Sequence, residues 1–238
     1  MSGKDISYKD IEVLFEDNHV LVAVKPVGVL SQADDSEGID MLTLLKEYIK
    51  VKYNKPGNVY LGLLHRLDRP VSGVMVFAKT SKCASRISEQ IRSRKVVKRY
   101  YAVVEGIPER REALLKHMYV KNKEMNLARI YEPSKAPSDA KEVALEYKVI
   151  GTAEYKGRKV SLVDINLHTG RSHQIRSQMA FIGHPLLGDA RYGTGLFKGD
   201  IALKSYCLGF NHPVSGEKMF FEIGKGDVPP FNLFEEQI

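Results

Sequence analysis

Residues 64–79, LHRLDRPVSGVMVFAK, contain a charged turn followed by an apolar run, and this combination is a first indication of the fold. The apolar run Gly73–Lys79 is typical of a buried strand. Asp68 lies in the turn between Arg66 and Arg69, and nearby cations favour the ionised form of a carboxylate. An ionised aspartate in a turn is a candidate nucleophile or base. An aspartate that caps the turn and pairs with an arginine is the commoner case for such a short stretch.

Strand-like segments outnumber helical ones on both sides of this run. On the N-terminal side, Ile11–Glu16 and Val20–Pro26 predict a β-hairpin. The apolar residues of Met41–Ile49 have helical spacing, and Thr80 or Ser81 can cap a second helix that runs to about Arg92. A third helix is expected over Ser172–Gly183. The remaining strand-like segments are Val96–Gly106, a smaller hairpin over Lys116–Tyr131, Glu142–Ile150 and Lys159–Leu167. Because strands and helices do not alternate regularly, the pattern predicts an α+β fold with a largely antiparallel sheet.

The composition is that of an ordinary globular protein. The chain has 238 residues, of which 43% are apolar and 27% charged, and this length allows one large domain or two small ones. No stretch approaches the ~18 apolar residues of a membrane helix, and the polar start Met1–Asp10 predicts no secretory signal. Two isolated cysteines, Cys83 and Cys207, predict neither a disulfide framework nor a zinc cluster. We therefore expect free thiols and a cytoplasmic location.

Positive charge is concentrated in one short segment. The formal net charge is +7, and Arg86–Tyr100 alone contains six basic residues and one acidic residue. Such a segment suits a polyanion, because neutralised phosphates release condensed counterions. A solvated helix face is an equally good interpretation at this point. If the partner is RNA, we expect Arg92, Arg94 and Lys95 to contact its phosphates.

Two further segments place reactive side chains where turns or strand ends are expected. In VKRYYA, residues 97–102, two tyrosines lie among cations, and aromatic faces stack on unpaired RNA bases. Side chains alternate along a strand, so Tyr100 and Tyr101 point to opposite faces, and spacing alone does not choose between them. In TGRSHQIR, residues 169–176, His173 and Arg176 share one helix face. Neither His-Glu-x-x-His nor Cys-x-x-Cys occurs, so we expect a hydrogen-bonding role for His173 and no metal site.

Together, three segments resemble the signature of the RluA-type pseudouridine synthase family: HRLDRPVSG (65–73), KRYYAVVEG (98–106) and GRSHQIRSQMAFIGHPLLGDARYG (170–193). The resemblance extends over about residues 11–221. It implies a single catalytic domain over residues 1–238, with a mixed, largely antiparallel bent β-sheet, flanking helices and a central catalytic cleft. No room is left for the S4-like RNA-binding domain of many relatives, so the catalytic domain is expected to recognise the RNA itself.

The resemblance also implies a reaction and a partner. A uridine in a ribosomal or transfer RNA stem-loop would become pseudouridine: the C1′–N1 bond breaks, the base turns, and C1′ joins C5. The family uses no cofactor and no metal. The resemblance further implies a monomer with no membrane association, and base flipping as the means of access to the uridine.

The same resemblance implies roles for individual residues. Asp68 is the catalytic aspartate, which either attacks the ribose or removes a ribose proton. Tyr100, rather than Tyr101, packs on the target base, and Arg176 pairs with Asp68. Arg66 fills the gap that the flipped nucleotide leaves. The other expected substrate-binding side chains are Arg69, Arg171, His173, Arg92, Arg94 and Lys95.

Three positions depart from the family's usual pattern, and two other functions stay open. Val71 stands where threonine is common, and Gln178 and Lys204 stand where histidine is common. These departures concern local hydrogen bonding and substrate choice. One rival function is an RNA-binding protein without activity, and the other is a hydrolase that uses Asp68 and His173. The mass of the product distinguishes a hydrolase from a pseudouridine synthase, because isomerisation leaves the mass of the RNA unchanged.

Overall fold

The computed structural model describes residues 6–34, 38–122 and 124–237. Its contacts divide the chain into two compact units. The first consists of the chain up to Val96 together with Cys207–Ile223. The second consists of Val97–Tyr206 together with the chain from Gly224 onward. This division does not test the expectation of a single domain over residues 1–238, which stays a prediction.

The first unit contains a sheet with two helices. Its strands are β1 (Val13–Glu16), β2 (Val20–Lys25), β3 (Gly62–Leu63), β4 (Ser72–Ala78), the part of β10 (Leu203–Asn211) that starts at Cys207, and β11 (Lys218–Glu222). The strand order is β1-β2-β4-β10, with β3 also paired to β4 and β11 to β10. Helices α1 (Met41–Lys52) and α2 (Ser81–Arg92) are capped by Asp40 and Thr80, whose side chains accept backbone N–H bonds.

Apolar residues that alternate along β2 and β4 form the core of this unit. Val20 and Val22 on β2 pack with Val74 and Val76 on β4, and all four are fully buried. Ile87 of α2 belongs to the same cluster. The apolar run that follows the Asp68 turn is therefore a buried central strand, as the sequence predicted.

Among its described residues, the second unit contains five antiparallel strands, the start of β10 (residues 203–206) and one α-helix. Its strands are β5 (Val97–Glu105), β6 (Glu112–Asn122), β7 (Leu127–Tyr131), β8 (Lys141–Tyr155) and β9 (Arg158–Leu167), and its helix is α3 (Gln174–Phe181). The strand order is β5-β9-β8-β6-β7. Its core includes Val103, Val160 and Leu162, on which Phe231 and Phe234 pack.

These elements confirm the α+β class with a largely antiparallel sheet. Every strand pair whose register is described is antiparallel. The predicted helix over 172–183 is shorter, because His173 has a left-handed φ of 56° and α3 begins only at Gln174. Cys83 and Cys207 are buried free thiols, as expected. Within the described ranges, no helix is both long enough and apolar enough to cross a membrane.

Candidate active site

The turn that contains Asp68 is held in place by Ser31. The buried Ser31 hydroxyl donates to the carbonyl oxygen of Leu67 (2.8 Å) and accepts from the Leu67 backbone N–H (3.0 Å). Both backbone groups of the residue before Asp68 are therefore fixed by one side chain. On the other side, the Val71 N–H donates to the Asp68 carbonyl oxygen (2.9 Å), which closes the turn.

The peptide that follows Asp68 is bound to the turn after β2. The Gly28 N–H donates to the Arg69 carbonyl oxygen (3.0 Å), and Arg69 Nε donates to the Gly28 carbonyl oxygen (3.1 Å). Gly28 has a φ of +84°, a conformation that favours glycine. Asp68 thus lies between two anchored residues, and such anchoring restricts the directions in which its carboxylate points.

Lys25 lies fully buried beneath this turn. Its Nζ donates to the carbonyl oxygens of Val29 (2.6 Å), Pro26 (3.0 Å) and Arg69 (3.1 Å), which matches the three protons of an ammonium group. The pKa of Lys25 is lowered to about 7, mainly by burial; the negative charge of Asp68 opposes this change, and the positive charge of Arg69 contributes to it. The sequence patterns indicated no role for Lys25. The available signal was a lysine at the end of an otherwise apolar strand.

The side chains of the turn differ in their exposure to solvent. Arg66 and Arg69 are exposed, Asp68 is partly buried, and Leu67 is buried. No residue in the described part of the chain accepts a hydrogen bond from the Arg66 guanidinium. The turn therefore presents a carboxylate flanked by two accessible cations, of which Arg66 donates no hydrogen bond to any residue that the structure describes.

In the second unit, Tyr100 and Tyr101 occupy opposite faces of β5. Tyr100 is buried and lies opposite Ile165 of β9. The Tyr101 ring stacks on the Tyr206 ring, with centroids 3.7 Å apart and planes inclined by 8°. Tyr101 thus has a structural partner of its own, and the role of Tyr100 at the target base stays a prediction.

Arg176 forms a two-pronged ion pair with Asp189. Its Nε and Nη2 lie 2.7 Å and 2.8 Å from the two carboxylate oxygens, and both residues are buried. Burial alone would raise the pKa of Asp189, but the hydrogen bond and charge of Arg176, together with backbone N–H groups, lower it below its ordinary value. From the family resemblance, Asp68 was the predicted partner of Arg176, and no sequence pattern indicated Asp189. That pairing with Asp68 stays a prediction.

His173 forms a hydrogen bond with Tyr192. Its Nδ1 lies 3.1 Å from the Tyr192 hydroxyl, and the two rings meet edge to face. The same hydroxyl accepts the backbone N–H of Ala128 (2.7 Å). His173 is therefore positioned by a hydrogen bond, as expected, although contact with the substrate stays a prediction. Among the described residues, no three side chains of metal-binding type are close enough to hold an ion.

The position where Gln178 replaces histidine retains a complete hydrogen-bond network. The fully buried Gln178 accepts from Gln174 (2.9 Å) and forms a hydrogen bond with His117 (3.1 Å). Gln174 in turn accepts from Thr169 (2.9 Å) and from the Arg171 N–H (3.1 Å). The substitution therefore leaves the loop before α3 fastened to the helix.

The basic segment predicted from the sequence has two parts. Toward its start, Arg86 donates to the Pro213 carbonyl oxygen (2.6 Å), and Gln90 binds the backbone of Asn211. Toward its end, Arg92, Arg94 and Lys95 are exposed, and Arg92 pairs with the exposed Glu89 (3.0 Å). The first part packs α2 against its own unit, and the second part remains accessible to a polyanion.

The predicted site residues divide between the two units. Arg66, Asp68 and Arg69 belong to the first unit, and they share one turn. The second unit contains Tyr100 on β5, Arg171 and His173 in the loop before α3, and Arg176 in α3. Their assembly into one active site stays a prediction.

Comparison with known proteins gives consistent results. A family model described as RNA pseudouridylate synthase matches residues 19–181. Ribosomal large subunit pseudouridine synthase D of Zymomonas mobilis is 30% identical over 89% of this chain and 68% of its own length. tRNA pseudouridine synthase C of Haemophilus ducreyi is 30% identical over 88% of this chain and 89% of its own length. The structure of human RNA pseudouridylate synthase domain containing 1 has a similar fold, with a TM-score of 0.74 at 22% identity over 96% of this chain and 89% of that one.

Proposed function

Because this chain belongs to the RNA pseudouridylate synthase family and is an RNA pseudouridine synthase, we propose that Asp68 carries out its chemistry on a uridine of ribosomal or transfer RNA. The reaction is an isomerisation. The C1′–N1 bond breaks, a C1′–C5 bond forms, C5 loses its proton and N1 gains one. Atoms and mass are conserved, and no oxidant or leaving group is required. We therefore propose that the reaction proceeds without a metal or added cofactor.

The observation that carries the proposal is the way the Asp68 turn is built. Hydrogen bonds from Ser31, Gly28 and Lys25 hold the residues on both sides of Asp68. A fixed, partly exposed carboxylate suits either attack on C1′ or removal of a ribose proton, since both need a short and directed approach. A carboxylate that served only to cap a turn would not need anchors of this kind on both neighbours.

Access to the uridine requires that the nucleotide leave its helix. Flipping costs a few kcal/mol, and stacking of the base on an aromatic ring returns ~1–3 kcal/mol. We propose that Tyr100 packs on the base and that Arg66 fills the vacated position in the RNA. The exposed Arg66 guanidinium, which donates no hydrogen bond within the described residues, supports that role.

Recognition of the RNA is assigned to exposed basic side chains. Arg92, Arg94 and Lys95 form an accessible cluster. Arg69, next to Asp68 in the chain, and Arg171, in the loop before α3, are also exposed. The names of similar proteins include both ribosomal and transfer RNA substrates. We therefore propose a structured RNA of one of these two classes as the substrate.

The experiment that tests this function is pseudouridine mapping of total RNA from cells with and without the gene. The proposal predicts one or a few uridines in ribosomal or transfer RNA that are converted only when the gene is present. Purified protein should then convert the same uridine, with unchanged RNA mass and in the presence of EDTA. Binding without conversion would indicate an RNA-binding protein, and a change in mass would indicate a hydrolase.

A further inference from the structure

Lys98 is a cation that the proposed mechanism does not use. It lies on β5 two residues before Tyr100, and alternate residues of a strand share one face. Its side chain is partly buried, and burial lowers the pKa of its ammonium group. Within the described ranges, no side chain or carbonyl oxygen accepts a hydrogen bond from Nζ. A desolvated cation without an acceptor is unfavourable, so this position favours a bound anion.

The Lys98 ammonium lies against a glycine. Its Nζ is 3.1 Å from the position that a β-carbon would occupy at Gly170. Any larger residue there would displace the ammonium. The missing side chain leaves the cation beside bare backbone, where a ligand can approach closely.

Two other cations lie around the same loop, residues 169–172. Arg171 is exposed within it. Lys121 of β6 donates to the Ser172 hydroxyl (3.1 Å) and to the Asn126 side-chain oxygen (2.5 Å), so its ammonium lies at this loop. The nearby Glu146 lies 3.3 Å from His168 Nε2. Three cations therefore surround this loop.

We propose that Lys98 binds a phosphate of the RNA backbone next to the target uridine, with Arg171 and Lys121 at the rim of the same site. The identity of the ligand rests on the proposed function, since phosphates are the anions that RNA supplies. Two residues of a strand, such as Lys98 and Tyr100, span about 7 Å. The base and the phosphate of one nucleotide are separated by a similar distance. A base on Tyr100 thus places its own phosphate within reach of Lys98.

This interaction would fix the flipped nucleotide rather than the whole RNA. The exposed cluster Arg92, Arg94 and Lys95 provides affinity that any RNA could use. Lys98, in contrast, engages only when the target base has reached Tyr100. Binding energy that is gained only in the reactive arrangement raises the rate of the chemical step and leaves overall affinity nearly unchanged.

The test combines protein and RNA changes in one cycle. The RNA is the stem-loop in which pseudouridine mapping has located the target uridine, and either phosphate flanking that uridine is replaced by a neutral methylphosphonate. Single-turnover rates are measured for the wild type, Lys98→Met and Lys116→Met, an exposed lysine of β6 that serves as the control. The wild type should lose about 10- to 100-fold at one of the two phosphates, as expected for a hydrogen bond to a charged group.

On unmodified RNA, the single-turnover rate of Lys98→Met should be lower than that of the wild type by the same factor. Neutralising that phosphate should slow Lys98→Met by less than about threefold more, because the two changes remove one interaction. Lys116→Met should behave as the wild type. If the losses from Lys98→Met and from each methylphosphonate multiply, Lys98 does not bind either phosphate. If the wild type converts no uridine at all, the proposed function and this inference both fail.

A milder variant keeps the test informative if Lys98→Met fails to fold. Gly170→Ala is compatible with the backbone, because Gly170 has no left-handed φ, but its methyl group would lie 3.1 Å from Nζ. We expect a several-fold slower reaction and a reduced methylphosphonate effect, with unchanged circular dichroism. Lys98→Arg should retain part of the phosphate discrimination. A Gly170→Ala enzyme with the wild-type rate and the full methylphosphonate effect would contradict the inference.

Discussion

Arg66 and Asp68 are two residues apart in one turn, but we assign them different tasks. Asp68 is partly buried and its neighbours are anchored, whereas Arg66 is exposed. Asp68 therefore needs a fixed geometry, and Arg66 needs a side chain that can extend into the RNA. The two roles can be separated by substrates that differ only in how tightly the uridine is stacked.

Arg66→Ala should slow the reaction mainly on structured RNA. If the guanidinium replaces stacking worth ~1–3 kcal/mol, single-turnover rates on a stem-loop should fall roughly 10- to 100-fold. The loss should shrink on an unstructured oligonucleotide, because the uridine is already unstacked. An equal loss on both RNAs would exclude the gap-filling role and leave the assignment of Asp68 intact.

Lys25 should make stability depend on pH. Its folded-state pKa of about 7 lies below the ordinary 10.5, so the folded protein binds fewer protons than the unfolded chain between these values. The cost of burying the charge is present in full below pH 7 and disappears as the pH rises toward 10.5. The free energy of unfolding should therefore increase from pH 7 to pH 9.5 relative to that of Lys25→Met. Parallel pH curves for the two proteins would show that Lys25 does not titrate in this range.

At the scale of secondary structure, α3 depends on an ion pair that bridges it to the following loop. Removing one partner of a buried ion pair costs about 3–5 kcal/mol, so Asp189→Asn should strongly lower the free energy of unfolding. Glu89→Gln breaks the exposed pair with Arg92 and should cost less than about 1 kcal/mol. Urea unfolding of both variants makes the comparison. Equal effects would mean that the Arg176–Asp189 pair does not stabilise the fold.

The C-terminal part of the basic segment should contribute affinity without contributing chemistry. Replacing Arg92, Arg94 and Lys95 by alanine should weaken RNA binding and lower the log–log salt slope by roughly 0.7–0.9 for each phosphate that is no longer neutralised. The rate at saturating enzyme should stay unchanged. Fluorescence anisotropy at several salt concentrations measures the slope. A slope identical to that of the wild type would identify this cluster as a solvated surface.

The observed strands and helices show which elements local sequence signals can predict. The buried strand at Gly73–Lys79 and the helix at Ser81–Arg92 were predicted nearly to the residue, because an apolar run and an N-cap threonine are local signals. The start of α3 was placed too early, since the left-handed φ of His173 has no such signal. The Arg176–Asp189 pair was missed because its members are 13 residues apart and meet only through the fold.

At the scale of the whole chain, the residues that we propose for the chemistry belong to both compact units, and their assembly into one site stays a prediction. Asp68 belongs to the first unit, and Tyr100 and Arg176 belong to the second. The order and spacing of the segments predicted the α+β class and the family, because both can be read from the sequence without knowledge of tertiary contacts. They could not reveal the buried Lys25 beneath the Asp68 turn, because a lysine at a strand end is exposed in most proteins.

The measurement that tests the central claim most directly is single-turnover conversion of the mapped uridine by Asp68→Asn. Asparagine preserves the shape of the side chain but removes the charge that attacks or abstracts. The control is Asp139→Asn, which changes an exposed aspartate of the second unit. We expect no detectable pseudouridine with Asp68→Asn, RNA affinity within a few-fold of the wild type, and full activity with Asp139→Asn. Conversion by Asp68→Asn at even about one hundredth of the wild-type rate, a loss of less than ~3 kcal/mol, would contradict the assignment of Asp68 as the catalytic group.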